Sequence, residues 1–92
     1  MADLYFDEEA DRACSALEAD PARAELARRV QAVLDALADN PGQAALRRHR
    51  FQLGLWGVVV GGSSEDWIVL WEPRPEIDGA VVVQYAGPAS FA

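Results

Sequence analysis

The sequence predicts a two-layer α+β domain, a helical hairpin packed on a mainly antiparallel sheet of about four strands, in the order β-α-α-β-β-β. Three observations carry this reading. The first half holds two stretches with apolar residues at helical spacing, and the second half holds β-branched and aromatic runs of strand length. The linkers between those runs, "GGSSE" and "EPRPEIDG", are rich in turn residues and short enough for antiparallel hairpins.

The elements follow in order. "DLYF" (Asp3 to Phe6) is a short aromatic segment that reads as a first strand. Asp7 is placed to cap a helix, with Glu8 and Glu9 in the first turn, where the helix dipole favours acids. Ala10, Ala13, Cys14 and Leu17 fall on one helical face, so this helix runs to about Ala19. In the next stretch Asp20 is the cap, Pro21 the first helical residue, and Asn40-Pro41-Gly42 the stop. Leu26, Val30, Val33, Leu34 and Leu37 form its apolar stripe, with Arg23, Arg28, Arg29 and Asp35 mostly off it. "LGLWGVVV", "DWIVLW" and "AVVVQYA" then supply a three-strand meander.

A chain of 92 residues, half of them apolar, forms one domain spanning 1–92 with a core of its own. A lone cysteine, Cys14, cannot make an internal disulfide, which fits a reducing cytoplasmic setting. The acidic start "MADLYFDEEA" carries no secretion signal, and runs such as "WIVLW" are too short to cross a bilayer, so no membrane partner is expected. One His and one Cys cannot build a zinc site of the usual kind, and "GVVVGG" is no dinucleotide fingerprint because no helix follows it. We therefore expect neither a metal nor a small-molecule cofactor. Cys14 lies on the apolar stripe and reads as an inert thiol.

The net charge of −7 argues against generic nucleic-acid binding, which rests on neutralising phosphates. That charge is unevenly spread. Residues 40 to 64 carry Arg47, Arg48 and Arg50 and no carboxylate, so this block is +3 and the remainder −10. Arg47, Arg48 and Arg50 are candidate phosphate-binding residues, and His49 and Arg48 are the catalytic candidates, since an unperturbed imidazole suits general acid–base work. The competing reading makes the cluster a solvated lead-in to a strand, its arginines paired with the acidic helices. A second candidate is a partner-binding face. If Ile68 and Leu70 point at the helices, alternation puts Trp67, Val69 and Trp71 on the opposite face, with Gly57 and Val59 beside them. Such an apolar, aromatic face marks a contact surface, unless the chain termini or a second copy cover it.

This order of elements, with these residues in it, resembles the RelE/ParE toxin superfamily of bacterial toxin–antitoxin systems. "LYFDEEADRACSAL" is similar to the family's first strand and helix, and "VLDALADNPG" to the end of its second helix. "LWGVVVGGSSEDWIVLWEP" resembles its central hairpin, and "VVVQYAGP" its last strand and closing Gly. The resemblance implies one of two activities, cleavage of mRNA in the ribosomal A site without a metal, or inhibition of DNA gyrase. Some members have no assigned activity. It also implies an antitoxin whose helix or strand wraps the toxin. The ribonuclease branch carries basic residues at alternate positions of the strand matching "WGVVV", where this chain has Gly57 and Val59. The arginine near the start of the next strand is replaced by Trp67, and after the last strand "GPASFA" offers only Phe91.

The resemblance and these substitutions together predict a toxin-like cytoplasmic protein that acts by protein–protein binding and not as an enzyme. Its expected partners are an antitoxin and, as target, DNA gyrase or the ribosome. A metal-independent mRNA endoribonuclease using the Arg47–Arg50 cluster is one alternative. The other is a non-toxic interaction domain, a homodimer through the Trp67/Trp71 face.

Overall fold

The computed structural model describes all residues except 1–2, 44–45, 48, 51–53, 63–64, 78 and 90–92, and of His49 it describes the backbone. Arg48 and Phe91 thus lie outside the described residues.

The first strand, β1 (Leu4–Phe6), leads directly into helix α1 (Glu8–Glu18). Asp7 caps this helix as expected, its carboxylate accepting from the Glu9 N–H. Asp20 also caps as expected, but Pro21–Arg23 form a single 3₁₀ turn before α2 (Ala24–Asp39) begins. Helix α2 ends at Asn40, and its stripe residues Leu26, Val30, Leu34 and Leu37 are buried, with Val33 packed at the margin.

The sheet has one strand more than expected. A two-residue strand, β2 (His49–Arg50), precedes β3 (Trp56–Val60), β4 (Trp67–Arg74) and β5 (Ala80–Pro88). Their order is β1-β5-β4-β3-β2, with β1 parallel to β5 and every other pair antiparallel. The sheet is therefore mixed, because the chain returns from the helical hairpin to the far edge and zigzags back until β5 meets β1. Strand β4 runs three residues further than its apolar run, taking Glu72, Pro73 and Arg74 out of the presumed linker. The tight turn that remains is closed by Gly79, whose φ of +75° lies in the left-handed region.

The helices cover one face of the sheet, and the face assignment of β4 differs from the expectation. Trp67, Val69 and Trp71 point into the core with Leu17, Leu26, Val30 and Leu37, and are 3 %, 0 % and 0 % exposed. Ile68 and Leu70 belong to the opposite face, in register with Val59 and Gly57. Neither face of β4 is open, since residues 67–71 are all buried, so alternation of polarity could not reveal its phase. On the outer face Gly87 lets the Tyr85 ring lie across the strand. A Cβ at Gly87 would fall 2.6 Å from the Tyr85 hydroxyl, which donates to the Pro88 carbonyl. Among the described residues no helix is long and apolar enough to cross a membrane.

Truncating Trp71 removes a fully buried indole and strands the Leu46 carbonyl that accepts its N–H at 3.1 Å. Trp71→Ala is expected to cost about 3–5 kcal/mol in urea unfolding. Tyr5→Ala, on a half-exposed ring, is expected to cost under about 1 kcal/mol in the same assay.

Candidate functional site: a basic and aromatic patch at the edge of the sheet

One row of residues crosses the sheet on its helix side. Phe6, Val83, Trp71, Trp56 and Arg50 stand opposite one another on consecutive strands. The row begins in the core, with Val83 and Trp71 fully buried, and emerges at half-buried Trp56 and exposed Arg50. Side chains directly opposite on neighbouring strands lie close enough to interact. Here that proximity sets the Arg50 guanidinium 4.5 Å from the Trp56 ring centroid.

Arg47 completes the patch from the loop before β2. Leu46 is buried, and its carbonyl is tied to the Trp71 indole, so the following residue is carried over the same tryptophan. The Arg47 guanidinium lies 5.4 Å from the Trp71 ring centroid and 5.4 Å from that of Trp56. Its Nε donates to the Pro41 carbonyl at 3.0 Å, just beyond the end of α2. Three separate contacts thus fix one planar cation, with its remaining N–H groups left for other acceptors.

Electrostatics set these two arginines apart. Arg12, Arg23, Arg28, Arg29 and Arg74 each have a carboxylate at ion-pair distance. Arg47 and Arg50 have none among the described residues, so the competing reading, in which the cluster pairs with the acidic helices, does not hold for these two. Their guanidinium groups lie over indole faces instead.

The other sequence candidates fall elsewhere. His49 stands in the neighbouring row, opposite Gly57, and its side chain lies outside the described residues. Arg48 is likewise outside them. The proposed contact face of Trp67, Val69 and Trp71, with Gly57 and Val59 beside them, is corrected: the first three are core, Gly57 is buried, and of the five only Val59, 49 % exposed, is open to solvent. Trp67 has a structural task. Its indole donates to Glu65 Oε1 at 3.1 Å, the same oxygen that accepts from Arg23 Nε at 3.0 Å, while Arg23 covers its ring at 5.3 Å. This cluster ties the turn between the helices to the β3–β4 connection.

Two further features were weighed. A cleft of about 420 Å³ between α1 and the end of β5 is lined by Glu9, Ala13, Ala16, Arg23, Tyr85 and Gly87. Its guanidinium is already engaged by Glu65, which leaves the cleft without an unpaired cation. Cys14 is free and buried, and burial pushes its thiol up, with Glu18 and Asp11 adding to the effect. A raised thiol is a poor nucleophile, so the expectation of an inert cysteine fits. Among the described residues no group of His, Cys, Asp and Glu is arranged to hold a metal.

Sequence reasoning missed Trp56, the residue that joins both arginines to the core. A two-residue strand gives no periodicity to read, and only knowledge that β2 pairs with β3 places Arg50 opposite Trp56. No protein-family model, curated protein or solved structure gives a significant match to the chain.

Directly after Trp71 on β4, Glu72 accepts from Arg74 Nε at 2.8 Å and from Gln84 Nε2 at 2.9 Å. The Arg74 bond is the main reason that its carboxyl is held below the usual range, partly offset by burial. A depressed folded-state pKa stabilises above the unfolded value, and that contribution disappears as pH falls through the folded value. The stability difference between the wild type and Glu72→Gln should therefore shrink as pH falls from neutral through the carboxylate range, as followed by urea midpoints.

Proposed function

We propose that this chain is a small toxin-like binding domain of the RelE/ParE type, working in the cytoplasm through protein contact and not by cleaving RNA. Its working surface is the patch of Arg47, Arg50 and Trp56. The observation that carries the reading is the pair of guanidinium groups stacked on a half-buried tryptophan with no carboxylate at ion-pair distance among the described residues, in a protein whose other described arginines all have carboxylate partners. Arginine and tryptophan are the residue types that dominate binding energy at protein interfaces.

The resemblance to the toxin superfamily supports the rest. The order of a strand, two helices and an antiparallel meander is compatible with that resemblance, under which Gly57, Val59 and Trp67 would match positions that are basic in the ribonuclease branch. With Trp67 and Gly57 buried, the strands β3 and β4 offer few groups to polarise a phosphodiester. An antitoxin would cover the patch, and gyrase is the target the resemblance suggests for a member that does not cleave RNA.

Tightly induced expression in a bacterial host tests this reading, with total RNA examined alongside growth. The wild type is expected to arrest growth while transcripts stay intact, and Arg47→Ala/Arg50→Ala is expected to relieve the arrest. Cleaved transcripts that disappear in an Arg48→Ala/His49→Ala variant would replace this reading with the ribonuclease one. Normal growth with soluble, folded wild-type protein would sink the toxin assignment in that host and favour a non-toxic interaction domain.

A further inference from the structure

We infer that the Arg47/Arg50/Trp56 patch takes an acidic segment of a partner protein, with two neighbouring carboxylates seated on the two guanidinium groups. This rests on the reading above that the patch is the working surface.

Geometry sets the size of the ligand. Both guanidinium carbons lie within 5.4 Å of the Trp56 ring centroid, so no more than about 10 Å separates them. In an extended chain, side chains on one face recur every ~7 Å and adjacent residues every ~3.5 Å, so two nearby acids span the pair. Each guanidinium presents a planar fork that matches a carboxylate. Arg47 is held by a backbone carbonyl and two rings, and Arg50 by its stack on Trp56. Arg47, with three contacts, therefore has less side-chain freedom left to lose on binding than exposed Arg50.

Charge distribution decides between a peptide and a nucleic acid, which both present anions. The block of residues 40 to 64 is +3, and the rest of the chain carries −10. A short acidic segment can place its charges on the patch and end there. A nucleic acid carries a charge at every nucleotide and extends past the patch over an acidic surface. Repulsion within a Debye length of about 8 Å then opposes each further phosphate. Half-buried Trp56 adds apolar area for the segment's own side chains, as in protein interfaces whose anchors are Trp and Arg.

The test is fluorescence anisotropy with three labelled probes on the full chain: a short peptide with two adjacent glutamates, its glutamine counterpart, and an oligouridylate of similar length. The glutamate peptide is expected to bind saturably and more tightly than either other probe. Arg50→Ala, an exposed position where truncation leaves the core intact, is expected to weaken it about fivefold. Arg50→Glu is expected to abolish it and to bind a lysine version of the peptide instead. Tighter binding of oligouridylate, lost in Arg50→Ala, would overturn the acidic-segment inference while leaving the patch as the working surface. Binding of every probe that is indifferent to Arg50, or no binding of the glutamate peptide, would overturn the inference. In the first of those cases the patch itself would also fail as the working surface.

Discussion

The placement of one indole organises this protein. Trp71 is fully buried at the centre of the row that crosses the sheet from Phe6 to Arg50, and it has a polar edge that cannot be left unpaired in a dry core. Its N–H is satisfied by the Leu46 carbonyl, which pins the segment between α2 and β2 onto the sheet. The next residue in that segment is Arg47. The same contact that completes the core therefore delivers a cation to the edge of the sheet, over the faces of Trp56 and Trp71.

Trp67 solves the same problem four residues earlier with a different outcome. Its indole N–H also finds an oxygen and its ring also meets an arginine, but that oxygen belongs to Glu65, which neutralises Arg23 in the same contact. The arginine over Trp67 is thus neutralised, while the arginine over Trp71 has no carboxylate at ion-pair distance among the described residues. Segregation of charge along the chain explains the difference. The acids stop at Asp39 and resume at Glu65, so no carboxylate lies near Arg47 and Arg50 in sequence, while Glu65 lies in the β3–β4 connection, two residues before Trp67. A protein of net charge −7 keeps a small cationic window this way, held rigid by aromatic rings instead of by ion pairs.

The helical half of the fold was legible because its signals are local. Asp7 and Asp20 cap where their side chains can reach free N–H groups, and the stripe from Leu26 to Leu37 declares its buried face by spacing alone. The sheet was legible as a set of strands and less so as an arrangement. In β4 every residue from Trp67 to Trp71 is buried, so hydrophobicity carries no phase and the inward face had to be guessed; pairing with β3 fixes it instead. The candidate site was half legible. Arg47 and Arg50 stood out as charges without acidic neighbours, but their shared partner Trp56 depends on the register of a two-residue strand, a non-local fact.

Trp71 is a core residue bonded to Leu46, while Trp56 sits at the open end of the same row. Hydrogen exchange of the indole N–H groups, followed by NMR on the folded protein, measures this directly. The account predicts that the Trp71 indole proton exchanges only through global unfolding, at the rate of the slowest amides of β4, and that the Trp56 proton exchanges far faster. Exchange at Trp71 as fast as at Trp56, with the β4 amides still protected, would contradict it. The patch would then have lost the anchor that holds it.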